Sequence, residues 1–228
     1  RGARFEGADL RSVRLEQADL QGAQLTSVKL DGADLRKANL RGANLRGASL
    51  DRACLIEASL SEAQLEGVRL REVQLQGVQL RGVSLQGVSL QGSDLSGADL
   101  SGAKLLEVAL DGAQLERCSF NDADLSEASL AGARLSQARL NGAQLSRAQM
   151  SGADLSEAQL SGANLEGADL SEARFERTRL DRVKFSGAQL ISARFEEIRC
   201  ENLDLSGVRL GRARFSKVEF PGLDATEA

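Results

Sequence analysis

The feature of this sequence that most constrains its fold is an unbroken five-residue period. From Phe5 to Phe220, every fifth position carries Leu, Phe, Met or Cys, and 35 of these 44 positions are Leu. In an α-helix, steps of about 100° per residue would spread these side chains around the whole circumference. In a continuous β-strand, successive members of the series would point to opposite faces. The period therefore argues against both regular structures.

Each five-residue unit also indicates which side chains point inward. A small residue precedes the large one by two positions, as Ala163 precedes Leu165. A three-residue extended piece places these two side chains on one side and the residue between them on the other. The two residues that remain must form a corner. The pattern predicts a chain that keeps turning around a core of small and large apolar side chains.

Glycine marks the corners. Of the 23 glycines, 22 occupy the second position after a large apolar residue, and Gly211 is the exception. In a β-turn that begins at the large residue, a type II turn requires positive φ at this position, which Gly adopts without steric cost. Pro221 and Gly222 fit the two central positions of the same turn. Where Arg, Glu, Lys or Ser replaces Gly, we expect a different type of turn.

These units resemble a known family. The motif Ala-(Asp/Asn)-Leu-x-x occurs at residues 8–12, 38–42, 43–47, 98–102 and 153–157, and residues 1–222 as a whole resemble the pentapeptide-repeat proteins. The resemblance implies an all-β fold, a right-handed quadrilateral β-helix with four units per coil, and hence a single solenoid of about 11 coils. We expect residues 1–222 to form this domain and residues 223–228 to form a short C-terminal tail.

Composition limits the chemistry available to the chain. The sequence contains no His, Tyr or Trp, and its formal net charge is −4. The usual general base and common metal ligand is therefore missing, and the serines have no His to activate them. We expect a protein that is not an enzyme and that uses no cofactor or metal. The cysteines show no metal or disulfide spacing, and we expect Cys118 and Cys200 in the core and Cys54 at the surface.

The inward residues change along the chain. Over residues 73–102, Val replaces Ala at several small inward positions and the surface carries few charges, which predicts a slightly wider, neutral belt. Phe175, Phe195 and Phe215 are twenty residues apart, so in a four-sided coil they would stack inside the helix. We expect the bulky end, with Phe220 and the turn at Pro221, to close the column.

Residues 171–220 carry the strongest basic bias, with 11 Lys or Arg against 8 Asp or Glu. With four units per coil, outward arginines twenty residues apart would lie about 4.8 Å apart, where like charges repel. Glu176, Glu196, Glu197 and Glu201 are placed to relieve this repulsion. Two interpretations stay open, a solvated lattice of ion pairs and a patch for an acidic partner protein or a phosphate-bearing surface.

The candidate partner-binding residues fall on two neighbouring faces. The first face carries Arg134, Arg174, Arg194 and Arg214, and the next carries Arg139, Arg179 and Arg199.

Two non-catalytic functions are consistent with these observations. The first is a rigid scaffold or protein–protein interaction module, which we expect to be part of a larger bacterial protein because Arg1 already lies inside a repeat. The second is implied by the resemblance, because some bacterial pentapeptide-repeat proteins imitate DNA and thereby bind and protect DNA gyrase or topoisomerase IV. The mixed charge, the C-terminal arginines and the missing loop and dimerisation helix favour the scaffold.

The sequence also indicates which partners are absent. We expect no direct nucleic-acid partner, because no aromatic side chain is predicted to point outward and stack on a base. We expect no membrane partner, because no apolar run approaches the roughly 20 residues that span a bilayer. A protein partner, a cytoplasmic location and end-to-end self-association through the first coil are the remaining expectations, and secretion as part of a larger protein stays open.

Overall fold

The fold is a four-sided β-helix, and the computed structural model describes residues 2–200, 203–219 and 221. Parallel β-bridges join outward residues twenty positions apart, from Arg4 with Gln24 to Arg199 with Glu219. Twenty residues are four five-residue units, so each unit forms one side of a coil. The described residues contain no helix. The predicted all-β coil with four units per turn is therefore confirmed.

Three short strands lie near the C-terminal end of the described column. They are β1 (Arg174–Glu176), β2 (Arg194–Glu196) and β3 (Arg214–Ser216). The strands pair in parallel in the order β1-β2-β3, with Phe175 opposite Phe195 and Phe195 opposite Phe215. The other described sides of the coils contribute isolated bridge residues, because a two-residue corner follows each large residue.

Small and large apolar side chains fill the column. Every large inward residue from Leu20 to Leu205 is buried, and the small residues between them are buried with few exceptions. Each fully buried Leu side chain contributes about 1.5–3 kcal/mol relative to an exposed one, so the stacked large residues provide most of the hydrophobic stabilisation. The predicted inward and outward positions are confirmed for this part of the chain.

The corners are more uniform than predicted. The described glycines at the second corner position have positive φ, but so do 22 non-glycine residues, from 51° at Arg177 to 63° at Glu62. The prediction that non-glycine corners differ is therefore wrong with respect to φ. The reason is the stacking of coils, since corner amides donate to the next coil, as Gln17 N does to Arg36 O at 2.8 Å. A corner with another φ would lose this bond.

Three corners near the C-terminal end differ from most others in their hydrogen bonding. Most corners are closed by a bond from the small residue to the preceding large one, such as Ala188 N to Phe185 O at 2.8 Å. Among the described corners, those after the Phe residues of β1, β2 and β3 lack this bond, as does the corner between Leu70 and Val73. After the three Phe residues, the next small position holds a β-branched residue, namely Thr178, Ile198 or Val218. Two bulky inward side chains in succession open the corner and lengthen the strand.

One seam between coils is less well bonded than the rest. Within the described residues, the bridges expected between Gln64 and Ser84 and between Arg69 and Ser89 are absent. At the same level, Val68 lies opposite Val88 of the next coil, and Ala63 lies opposite Val83. Because interiors are close-packed, extra methyl groups at stacked positions force the backbones apart. The seam lies at the start of the predicted valine belt.

Several predictions concern residues outside the described part of the chain. Phe220 and Gly222 belong to this group, so closure of the column at its C-terminal end stays a prediction. The same holds for the division into a domain of residues 1–222 and a tail of residues 223–228. No helix in the described part is long and apolar enough to cross a membrane.

Substitutions at two corners measure the cost of positive φ. Gly162 has φ +73° and nothing lies within 4 Å of the position of an added Cβ, so Gly162→Ala tests backbone strain without a clash. We expect Gly162→Ala to lower the free energy of unfolding by about 1–2 kcal/mol. Glu107 has φ 56° and is exposed, and we expect Glu107→Gly to be neutral or stabilising. Urea denaturation measures the change in the free energy of unfolding for each variant. A loss of stability in both variants, or a gain in both, would contradict the corner geometry.

The three cysteines lie where the period predicts. Cys118 and Cys200 are buried inside the column, and Cys54 is partly exposed on its surface. The Cys118 thiol donates to Leu95 O at 2.9 Å. Burial raises the pKa of Cys118 to about 12, so this thiol stays protonated and unreactive at neutral pH.

Thiol labelling under native conditions is expected to modify Cys54 alone, and labelling after unfolding is expected to modify all three cysteines. Because the pKa of Cys118 is higher in the folded than in the unfolded chain, its contribution to stability is present below pH 9 and is lost as the pH rises towards about 12. Mass spectrometry counts the labels. Rapid native labelling of Cys118 or Cys200 would show that these positions do not point inward.

Candidate partner-binding surface

Three arginines form a column on the outward side of β1, β2 and β3. We call Arg174, Arg194 and Arg214 the arginine ladder, and the parallel register sets each opposite the next. All three are exposed. On the inward side, Phe195 stacks on Phe175 at a ring-centroid distance of 4.7 Å and on Phe215 at 4.9 Å. The predicted aromatic stack is confirmed, but its last ring, Phe215, is 42% exposed and is not enclosed in the column.

Nearby carboxylates neutralise only the first arginine of the ladder. Arg174 is paired with Glu176, whose Oε1 also accepts a hydrogen bond from Arg177 at 2.8 Å. Glu197 is instead bound by Lys217 at 2.7 Å, a hydrogen bond that lowers the pKa of Glu197.

Arg194 and Arg214 have no ion pair within the described part of the chain. The predicted relief of repulsion by Glu196 and Glu197 is therefore not found at these two positions, and Glu201 lies outside the described residues. Each arginine keeps a full positive charge, since the guanidinium does not deprotonate in proteins.

The other candidate arginines do not join the ladder into one patch. Arg134 lies in the same column but is separated from Arg174 by Asp154, and it pairs with Glu116 at 2.8 Å. It therefore belongs to a local ion pair, as the lattice interpretation predicted.

The neighbouring column is also divided. Gln159 lies between Arg139 and Arg179, and Arg199 pairs with Glu219 at 3.3 Å. No bridge joins Arg179 to Arg199 among the described residues. The seven predicted residues are thus distributed over several sites, and only the ladder places unpaired arginines in adjacent coils.

A groove opens beside the ladder, and we call it the arginine groove. One wall is formed by Arg194 and Arg214 and the other by Glu172, Ser192 and Arg212, around a volume of about 450 Å³. The second wall consists of corner residues twenty positions apart. This wall was not predicted from the sequence, although the twenty-residue spacing of its members places them in one column.

An exposed apolar residue directly precedes one residue of the groove wall in the sequence. Ile191 is the corner neighbour of Ser192 and is 38% exposed, which makes it one of two exposed large apolar side chains in the described residues. Most first corner positions in the chain carry polar or charged residues. A hydrophobic residue here was not singled out from the sequence, because one exposed Ile is common on protein surfaces.

The N-terminal half contains a groove of similar size in which most of the lining charges are paired. It has a volume of about 520 Å³. Arg69 reaches Asp51 at 3.4 Å and Asp31 at 3.7 Å across it. Arg69 also donates to Ser49 Oγ, which binds Asp31. Apart from Arg71, for which no ion pair is found within the described residues, the charged side chains that line this groove pair with one another, in contrast to those of the arginine groove.

The arginine groove can bind anions but has no visible means of catalysis. Arginine presents parallel N–H donors that fit carboxylate and phosphate groups. The lining residues include no general base other than the exposed Glu172. Among the described residues, no cluster of His, Cys, Asp or Glu could hold a metal ion. The side chains of the arginine groove are therefore suited to binding negatively charged groups.

Comparison with known proteins establishes the family. The family model for pentapeptide repeats matches the chain in eight copies, over residues 1–26, 18–56, 52–87, 84–122, 118–157 and 158–196. The chain belongs to the pentapeptide-repeat family. Members of this family are right-handed quadrilateral β-helices, and the four-sided coil of this pentapeptide-repeat protein has the same architecture.

Several solved pentapeptide-repeat structures are similar to this chain. HetL of the cyanobacterium Nostoc sp. strain PCC 7120, a protein involved in heterocyst differentiation regulation, is 30% identical over 92% of this chain and 87% of its own, with a TM-score of 0.47. QnrB1, a plasmid-mediated fluoroquinolone resistance protein, is 18% identical over 73% of this chain and 91% of its own, with a TM-score of 0.43. No curated protein matches the sequence.

Proposed function

We propose that this pentapeptide-repeat protein is a rigid, non-catalytic interaction module that binds an acidic protein partner through its C-terminal arginines. The observation that carries the proposal is the arginine ladder, in which Arg194 and Arg214 lie in adjacent coils without a carboxylate partner. Stacked like charges destabilise a sheet. A bound acidic partner would remove this cost and gain charge-assisted hydrogen bonds.

The rigidity of the column supports a scaffold role. The coils around the ladder are joined by backbone hydrogen bonds, such as Arg194 N to Ala173 O at 2.9 Å and Arg214 N to Ala193 O at 2.8 Å. A side chain on such a support loses less conformational entropy on binding than one on a mobile loop. The fold therefore presents the ladder in a fixed arrangement.

Surface ion pairs argue against DNA mimicry, which needs a continuous anionic surface. In the N-terminal half, several acidic residues are paired with basic residues of the preceding coil, as Glu66 is with Arg46 at 3.0 Å and Glu57 is with Lys37 at 3.6 Å. In residues 171–220, basic residues outnumber acidic residues by 11 to 8. Binding of DNA gyrase or topoisomerase IV is therefore kept as an outcome of the test below.

An affinity capture from source-cell lysate tests the proposal with matched baits. The first variant reverses the ladder through Arg174→Glu, Arg194→Glu and Arg214→Glu, and the second reverses the neighbouring column through Arg139→Glu, Arg179→Glu and Arg199→Glu. A control with the same change of net charge carries Arg14→Glu, Arg71→Glu and Arg81→Glu, which lie far from the ladder. Circular dichroism first verifies that all baits keep their β signal.

The proposal predicts an acidic protein partner that the parent and the control bait capture and that the ladder variant loses. Loss in all three variants would show non-specific charge attraction. Capture of topoisomerase subunits would overturn the proposal in favour of DNA mimicry, and the lack of any partner would leave a passive spacer.

A further inference from the structure

We infer that the arginine groove binds an extended acidic segment of the partner, with carboxylates on Arg194 and Arg214 and an apolar side chain against Ile191. The inference rests on the proposed function and deepens it. It places the docking site in the arginine groove and states the chemistry of the segment that binds there.

The geometry of the ladder favours a peptide in the extended conformation. Adjacent coils lie about 4.8 Å apart, as neighbouring strands do. Side chains on one face of an extended peptide are two residues apart, which is about 6.6–6.8 Å. The difference of about 2 Å is within reach of two long, flexible arginine side chains. A segment with acidic residues two positions apart can therefore pair with Arg194 and Arg214 together.

The charge of the groove favours a segment with more than one carboxylate. Three guanidinium groups, those of Arg194, Arg212 and Arg214, line the groove together with the single carboxylate of Glu172. Arg212 lies on the wall opposite the ladder, so an anionic segment in the groove has cations on both sides. Ser192 lies on the same wall and offers a hydroxyl to a peptide group.

Ile191 distinguishes a peptide from a simple anion. Ile191 directly precedes Ser192 of the groove wall in the sequence and is 38% exposed. Covering it with an apolar side chain removes hydrophobic surface from water, a contribution that salt does not screen. A free phosphate or a phosphorylated headgroup gains nothing from this contact. Nucleic acid is disfavoured as well, because no aromatic side chain lines the groove for base stacking.

Binding of a labelled peptide to the whole chain tests the inference. The probe is fluorescein-labelled Gly-Glu-Ser-Glu-Leu-Gly, compared with a peptide that has Gln for both Glu residues and one that has Ser for Leu. We expect saturable binding by fluorescence anisotropy. The double variant Arg194→Glu with Arg214→Glu is expected to weaken binding more than about tenfold, since each of the two arginines forms a charge-assisted pair with a peptide carboxylate.

The control reverses two arginines far from the groove, Arg14→Glu and Arg81→Glu, and is expected to change affinity less than about twofold because of screening. Ile191→Ser is expected to weaken binding of the parent probe about threefold or more and to leave the Leu-to-Ser peptide unaffected. This coupling is what direct contact between the two side chains produces.

Three results would overturn the inference. They are no saturable binding, equal loss in the ladder and control variants, and displacement by inorganic phosphate as effective as by unlabelled peptide at matched ionic strength. The capture experiment separates this failure from that of the proposed function. If a lysate partner depends on the ladder but the peptide neither binds nor competes, the groove inference is wrong and the interaction module stands.

Discussion

Replacing Leu125 by Asp is expected to unfold the array or to lower its free energy of unfolding by more than about 4 kcal/mol. Leu125 is 1% exposed and lies in the middle of the column, between the coils that contain Leu105 and Leu145. The substitution removes a buried apolar side chain and leaves a carboxylate without a hydrogen-bond partner. Both effects destabilise the native state, and their sum is comparable to the stability of a whole domain.

Thermal and urea unfolding, followed by circular dichroism, measure this effect. Because a solenoid is stabilised by contacts between neighbouring coils, the variant can also unfold in two transitions, one for each half. The matched control is Gln114→Asp, which places the same carboxylate at an exposed outward position in the preceding coil. We expect the control to change stability by less than about 0.5 kcal/mol. If Leu125→Asp unfolded like the parent, this position could not point inward.

Replacing Phe195 by Ala is expected to destabilise the C-terminal coils by about 3–5 kcal/mol. Phe195 is 2% exposed and is the middle ring of the aromatic stack, with ring-centroid distances of 4.7 and 4.9 Å to its neighbours. Its removal leaves a cavity directly behind the arginine ladder. Amide hydrogen exchange is expected to show lost protection in β2 and β3 while the N-terminal coils stay protected.

The control for this substitution is Phe195→Leu. Leucine occupies most large inward positions of the chain, so the column already accommodates it, and we expect a loss of less than about 1.5 kcal/mol. Partner capture by both variants links the core to the surface, because a distorted ladder should bind less well. Equal stability of the alanine variant and the parent would show that the stack does not support these coils.

The sequence alone predicted the positions of the core, because the period ties each residue to one side of a coil. Cys118 and Cys54 differ only in their place within the unit, and the first is buried while the second reaches the surface. The stack of Phe175, Phe195 and Phe215 followed from the twenty-residue repeat in the same way. Predicting which residues are buried or stacked in this way requires no knowledge of side-chain conformation.

The features that the sequence did not predict depend on contacts between coils. The left-handed φ of Arg177 and Glu62 is imposed by hydrogen bonds to the neighbouring coil and overrides local preference. Glu197 was expected to neutralise the ladder, but Lys217 in the next coil binds it first. The arginine groove depends on which long side chains fold onto neighbouring carboxylates, and repeat spacing carries no information about that choice.

The most direct test of this account measures whether arginines twenty residues apart share one column, since both proposals rest on the ladder. Arg194→Cys and Arg214→Cys are combined in a Cys54→Ser background, so that the engineered thiols are the accessible ones. A short bifunctional thiol reagent that fluoresces only when both ends react then reports their proximity. The control pair, Arg194→Cys with Arg209→Cys, lies on adjacent sides of the coils. The account predicts rapid intramolecular crosslinking of the first pair and none of the second; equal crosslinking of both pairs, or of neither, would contradict it.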